Sequence, residues 1–230
     1  MNIFMTGLPY SGSNIIVTLL QQNPKFGVYY DTPLFHLTNS IIDETLSQGG
    51  YNTQCDEDLR FKIIENLFST FYEHEHNVNI DYKWNYVLPI VNKLGGKIIC
   101  CVRDINAILN EYEYEFFKNP TQQSYRGNVY SRCQDHMNGE LGDRYNSVKQ
   151  IINYNSTDIM MIEHDFLINN LEKTFQYIYR FLDLPMFEHN FAEYESSNPG
   201  YDLSKEQSPV ILPPDIIQQY SSLELWRKNG

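Results

Sequence analysis

Residues 2–14 read NIFMTGLPYSGSN, an apolar run that passes at once into a loop rich in glycine and serine. The run Asn2–Thr6 predicts a buried strand, and a helix is expected from about Ser13 to Gln22. A loop between a strand and a helix suits phosphate binding, because its backbone N–H groups can point inward and the helix adds the positive end of its dipole. The stretch therefore predicts an anion-binding loop, and the alternative is a tight turn capped by Ser11 or Ser13.

The loop matches only part of the pattern GxxxxGK[ST] that nucleotide triphosphatases use to hold phosphates. Gly7 and Gly12 have the required spacing, but Ser13 stands where that pattern has its lysine. Because the lysine reaches the terminal phosphates, an ordinary nucleotide triphosphatase is disfavoured. A P-loop kinase of a small metabolite stays open as a weaker hypothesis.

Other segments predict that strands alternate with helices along the chain. Such alternation is typical of an α/β fold with three layers, in which helices cover both faces of a central, mostly parallel sheet. The further predicted strands are Val78–Tyr82, Lys97–Val102 and Asp158–Glu163. The predicted helices are Leu34–Leu46, Asp56–Tyr72, Asp104–Lys118, Val129–Tyr154 with a break near Asn138–Gly142, Leu171–Leu182 and Pro214–Ser221. We expect one domain over residues 1–230, with residues 196–230 as an extended tail that carries the last helix.

The charge of the chain limits its partners. Its 230 residues include 29 acidic and 17 basic side chains, which give a net charge of −12 and disfavour a general nucleic-acid binder. No apolar run is long enough to span a bilayer and no secretory signal is evident, so we expect a cytoplasmic protein without a membrane span. The four cysteines lack the spacing of a zinc site or a redox pair, and no metal is expected.

Basic residues follow two of the predicted strands. Lys83 comes just after Val78–Tyr82, and Arg103 comes just after Lys97–Val102. Because the carboxyl ends of parallel strands meet at one edge of a sheet, these cations and the loop are expected to converge there. In so acidic a chain, this convergence favours an anionic ligand. The alternative for Arg103 is an ion pair with the neighbouring Asp104.

Four segments resemble signatures of the sulfotransferases. Residues 9–14, PYSGSN, are similar to the loop P-[RK]-S-G-[ST]-[TN] of that family, and residues 97–109, KIICCVRDINAIL, are similar to its strand that ends in V-R-[DN] and opens a helix. Residues 160–182 resemble a later segment of the family, and residues 211–227 resemble the ending of a bacterial and phage-like subgroup. The segments occur in the family's order, from the first strand to the last residues.

The resemblance implies a P-loop-type enzyme that transfers a sulfuryl group from 3′-phosphoadenosine 5′-phosphosulfate (PAPS) to a hydroxyl or amine acceptor. It also implies that Lys83 stabilises the transferring sulfuryl oxygens and that Arg103 binds the 3′-phosphate. The loop residues that would hold the 5′-phosphate and the sulfuryl group are Pro9, Tyr10, Ser11, Gly12, Ser13 and Asn14. Arg132 or Tyr130 would contact the nucleotide, and the alternative is a core aromatic beside solvated arginines.

The acceptor needs a general base to take its proton. Asp81 is the first candidate because it precedes Lys83 at the expected edge, and the alternative is a surface carboxylate that pairs with this lysine. Asp31 and His36 are further candidates.

The chain departs from the family pattern at three positions. Tyr10 replaces the basic residue of the loop, and Asn85 stands where one branch of the family has a histidine. Glu111 occupies the place, eight residues after Arg103, of a serine that binds the 3′-phosphate in the family. These departures favour a second hypothesis, a catalytically impaired relative that binds a nucleotide or a partner without turnover.

Overall fold

The computed structural model describes residues 1–30, 32–46, 57–118, 127–154, 156–192, 211–221 and 223. Its strands are β1 (Asn2–Gly7), β2 (Phe26–Tyr30), β3 (His76–Ile80), β4 (Lys97–Val102) and β5 (Ile159–Glu163). Its α-helices are α1 (Ser13–Leu20), α2 (Leu34–Leu46), α3 (Glu57–Phe71), α4 (Leu88–Lys93), α5 (Ile105–Lys118), α6 (Val129–Asn138), α7 (Glu140–Tyr154), α8 (His164–Asn169), α9 (Leu171–Phe181) and α10 (Pro214–Tyr220). A 3₁₀ helix, Tyr82–Tyr86, follows β3.

The described strands form one sheet in the order β2-β3-β1-β4-β5, and every neighbouring pair is parallel. The central strand is β1, in which Met5 lies opposite Ile80 of β3 and Ile99 of β4. All five carboxyl ends therefore lie at the same edge. The predicted α/β fold with a parallel sheet is confirmed.

Helices cover both faces of the sheet. On one face, Phe4 and Cys100 belong to a core cluster with side chains of α2 to α7 and α10. On the other face, Met5 and Cys101 belong to a cluster with side chains of α1, α8 and α9. Strands buried on both faces can be apolar at every position, which explains the continuous apolar run of β4. No helix in the described part of the chain combines the length and the apolar character that crossing a membrane would require.

The structure differs from the sequence predictions at the edge of the sheet. Strand β2 was not predicted, and β3 ends at Ile80 rather than at Tyr82. The shift has a local cause, because the Asp81 carboxylate accepts a hydrogen bond from the Lys83 N–H at 2.9 Å and starts the 3₁₀ helix. The predicted break in the long helix is confirmed, since α6 and α7 are separated at Gly139. Of the predicted tail, residues 196–210, 222 and 224–230 lie outside the described residues.

Two buried histidines lie away from the sheet edge that carries the loop. His76 begins β3, and the Nε2 atom of His189 lies 3.0 Å from the Tyr179 hydroxyl, which accepts a hydrogen bond from the Asn23 side chain. Burial lowers the pKa of both imidazoles below the ordinary value of 6.5. Both histidines therefore stay neutral in the folded protein at pH values at which an unfolded histidine takes up a proton.

We expect the free energy of unfolding to be highest above pH 6.5 and to fall as the pH drops below it, because the unfolded chain then binds more protons. Each histidine contributes at most about 1.4 kcal/mol per pH unit. Urea unfolding on both sides of this pH measures the difference. The variant His189→Gln should reduce it. Equal pH dependence in this variant and in the wild type would contradict the prediction.

Candidate functional site

The loop after β1 turns through three residues with positive φ angles, Gly7 at 123°, Tyr10 at 53° and Gly12 at 88°. A side chain at Gly7 is impossible without rearrangement, because its Cβ would lie 2.0 Å from the Cys101 carbonyl oxygen. Tyr10 occupies the left-handed region at a cost of roughly 1–2 kcal/mol. Strained backbone of this kind is concentrated in ligand-binding turns.

Among the described residues, no group accepts a hydrogen bond from the backbone N–H of Ser11, Gly12, Ser13 or Asn14, at the start of α1. Gly12 is the N-cap, no side chain caps the helix, and the Ser11 hydroxyl donates to the Leu8 carbonyl instead. The structure therefore does not have the capped turn that the sequence left as an alternative. Four unpaired N–H groups at a helix N-terminus are the arrangement that binds phosphate and sulfate groups.

A cavity of about 630 Å³ opens beside this loop at the carboxyl edge of the sheet. Its volume is within the range of small-molecule binding sites. Six of the residues predicted from the sequence line it: Pro9, Tyr10, Ser13, Asn14, Asp81 and Lys83. The structure thus brings the loop and Lys83 together at this edge of the sheet.

The Lys83 ammonium has no carboxylate partner among the described residues. Its Nζ atom lies 6.0 Å from the ring centroids of Phe35 and Tyr82. Asp81, the nearest acidic residue in sequence, bonds the backbone N–H of Lys83 and not its ammonium. The lysine therefore keeps a positive charge at the cavity wall that a ligand anion can neutralise.

Helices α5 and α7 supply part of the wall that the sequence analysis missed. Arg144 of α7 pairs with Glu140 at 2.6 Å and lies over the Tyr82 ring at 4.7 Å. Tyr112 of α5 packs edge-on against Tyr10, and burial together with the Glu140 charge raises its pKa to about 12. No motif marks these positions, because they reach the cavity only through the packing of the two helices.

Arg103 reaches the loop but does not line the cavity. Its Nη1 donates to the Tyr10 carbonyl at 3.0 Å, and its Nη2 donates to Glu111 Oε1 at 3.0 Å. Asp104 caps α5 by accepting a hydrogen bond from the Ala107 N–H at 2.7 Å. Arg103 therefore forms its ion pair with Glu111, two turns along the helix. It does not form the ion pair with Asp104 that the sequence analysis gave as the alternative.

Other candidates from the sequence lie away from the cavity or outside the described residues. The Arg132 guanidinium is buried against the Glu113 carboxylate of α5, so the structure does not bring it to the loop. Tyr130 is exposed and donates a hydrogen bond to Asp215. His36 is exposed on α2, and Asp31 lies outside the described residues.

Comparison with known proteins shows which fold this is. No protein-family model and no curated protein matches the sequence. Among solved structures, mouse sulfotransferase SULT7A1 complexed with PAP matches 100% of this chain and 85% of its own, with a TM-score of 0.57 and 13% identity. The chain has the sulfotransferase fold.

Two further structures with the sulfotransferase fold are similar over nearly the whole chain. Sulfotransferase STF9 from Mycobacterium avium matches 98% of this chain and 76% of its own, with a TM-score of 0.58 and 9% identity. Retinol dehydratase in a complex with retinol and PAP matches 99% and 80%, with a TM-score of 0.52 and 12% identity. At these identities the comparison establishes the fold alone, so an activity has to be argued from the residues of the site itself.

Proposed function

We propose that this protein binds PAPS at the loop after β1 and transfers its sulfuryl group to a hydroxyl or amine acceptor. The observation that carries the proposal concerns the residues that the structure describes: none of them accepts a hydrogen bond from the N–H groups of Ser11 to Asn14, and none pairs a carboxylate with the Lys83 ammonium in the adjoining cavity wall. In a chain with a net charge of −12, a cation left unpaired at a cavity wall favours an anionic ligand. The bound PAP in two neighbours supports a nucleotide of this class.

Sulfuryl transfer is an in-line displacement, similar to phosphoryl transfer, in which positioning and charge stabilisation do most of the catalysis. The acceptor oxygen bonds to sulfur while the bond from sulfur to the bridging oxygen breaks, and adenosine 3′,5′-bisphosphate (PAP) leaves. Negative charge therefore increases on the bridging oxygen. The loop N–H groups and the Lys83 ammonium are the donors of this chain that would stabilise it.

The proton of the acceptor has to pass to a base at the cavity wall. Of the two candidate bases that the structure describes, Asp81 and His36, Asp81 lines the cavity. Its Oδ1 accepts the Lys83 N–H, which fixes the orientation of the carboxylate. Its second oxygen, Oδ2, would take the proton in the proposed reaction.

A second candidate function is nucleotide binding without turnover. The pairing of Arg103 with Glu111 favours it, because a carboxylate already neutralises the guanidinium that the resemblance assigns to the 3′-phosphate. Tyr10 favours it as well, since a phenol supplies no charge near the bridging oxygen. Loss of the labelled sulfuryl group from PAPS, to an added alcohol as a sulfate ester or to water as free sulfate, distinguishes an enzyme from a binding protein.

The site itself is tested by thermal unfolding with PAP, with adenosine 5′-monophosphate and with adenosine. We expect both phosphorylated nucleotides to raise the melting temperature and adenosine to leave it unchanged, because the loop N–H groups bind an anion. At a concentration 100 times Kd, the stabilisation is about 2.7 kcal/mol. If neither nucleotide shifts the transition at millimolar concentration, the proposed function is wrong.

A further inference from the structure

The Arg103 side chain is almost fully enclosed by groups of the protein itself. Only 10% of it is exposed, and 18% of the Glu111 side chain is exposed. One edge of the guanidinium donates to the Tyr10 carbonyl and another to the Glu111 carboxylate, each at 3.0 Å. His164 of α8 also lies nearby, and its pKa is lowered by burial and by the Arg103 charge. The guanidinium thus holds the loop to α5 and presents no surface to the cavity.

The position of Glu111 on α5 explains why its carboxylate pairs with Arg103. The helix begins at Ile105, directly after the arginine, and residue 111 lies on its second turn. Asp104, the acidic neighbour of the arginine, instead accepts the Ala107 N–H at the start of α5. A carboxylate that is both nearly buried and charge-paired is a strong competitor for any second anion at the same guanidinium.

We infer that Glu111 is a specificity-determining residue, which occupies with its own carboxylate the place on Arg103 that a second phosphate of the ligand would need. The inference rests on the proposed function, and it concerns which nucleotides that site prefers. A 3′-phosphate that approached Arg103 would compete with Glu111 for the guanidinium and would lie at short range from its carboxylate. A nucleotide held by the loop and Lys83 therefore gains no affinity from a 3′-phosphate, and the site accepts 5′-phosphorylated adenosine nucleotides with a free 3′-hydroxyl equally well.

Isothermal titration of the full chain with PAP and with adenosine 5′-monophosphate tests the inference without any variant. We expect the two Kd values to agree within about threefold, since an added hydrogen-bonded charge normally changes affinity by at least tenfold. If PAP binds more than about tenfold more tightly, the inference is wrong and the proposed function stands. If neither nucleotide binds, both are wrong.

The variant Glu111→Ser tests whether this side chain is responsible. We expect it to tighten the binding of PAP by about tenfold or more and to leave the binding of adenosine 5′-monophosphate unchanged, because it frees one edge of the guanidinium. The variant Glu115→Ser is the matched control, since it removes a carboxylate from the same helix where it pairs with Lys118 at the surface. Melting curves verify that both variants are folded. Equal nucleotide preferences in Glu111→Ser and Glu115→Ser would overturn the inference.

Discussion

Replacing Lys83 with alanine is expected to lower the rate of sulfuryl transfer from PAPS by about 10²- to 10³-fold, the effect of removing one donor that stabilises developing negative charge. The physical reason is that Lys83 is a cavity-lining cation without a carboxylate partner among the described residues, whereas Arg144 is neutralised by Glu140. The free energy of unfolding should change by less than about 0.5 kcal/mol, because no ion pair is broken. Turnover of labelled PAPS and urea unfolding measure the two effects.

Lys173 provides a matched control for this variant. Its ammonium also lies beside aromatic rings, 6.0 Å from the centroid of Phe166 and 5.8 Å from that of Tyr177, and it is not part of the cavity wall. The variant Lys173→Ala therefore makes the same change in net charge without touching the proposed site. Equal transfer rates in the two variants would show that Lys83 acts only through its contribution to the overall charge of the protein, and not at the proposed site.

The variant Glu113→Ala is expected to lower the free energy of unfolding by about 3–5 kcal/mol, the usual cost of leaving a buried charge without its partner. Glu113 and Arg132 are 1% and 8% exposed, and the carboxylate receives bonds from Nε at 2.9 and 3.1 Å and from Nη2. The guanidinium also donates to the Gly127 carbonyl and lies over the Phe116 ring, so it is unable to turn toward solvent without losing both contacts. Urea unfolding gives the difference.

Two variants separate the loss of this buried pair from other causes. Glu113→Gln keeps an oxygen acceptor without the charge and should lie between the wild type and Glu113→Ala. Glu57→Ala removes an exposed carboxylate that pairs with Lys93, and it should have a much smaller effect. If Glu113→Ala were as stable as Glu57→Ala, Arg132 would not depend on this carboxylate and its role as a ligand-binding residue would deserve a new test.

Much of the fold could be predicted because its strands follow simple rules. β1 and β4 are continuous apolar runs, and the structure has β4 and α2 with the bounds that the sequence predicts. β2 could not be predicted because it is short and contains Gly27, so its five residues show no clear alternation of apolar and polar side chains. β3 was predicted too late in the chain because its first residues include His76 and Asn77, which are buried although they are polar. Local apolar pattern gives no information about polar side chains that tertiary packing buries.

The candidate site could be predicted where it depends on strand ends and not where it depends on helix packing. The loop and Lys83 follow β1 and β3, and a parallel sheet brings such positions together. Tyr112, Glu140 and Arg144 come from α5 and α7, whose approach to the loop is set by the core on that face of the sheet. The partner of Arg103 is a similar case. The sequence shows that Glu111 lies eight residues after the arginine, but it does not show that the two side chains form an ion pair.

A crystal structure of the protein soaked with PAP would show whether the loop after β1 holds the nucleotide. We predict that the 5′-phosphate lies within about 3 Å of the N–H groups of Ser11 to Asn14 and beside the Lys83 ammonium. Glu111 should remain on Arg103 in the same crystal. The proposed site is wrong if the nucleotide binds elsewhere, or if its 5′-phosphate occupies the cavity without contacting the loop N–H groups.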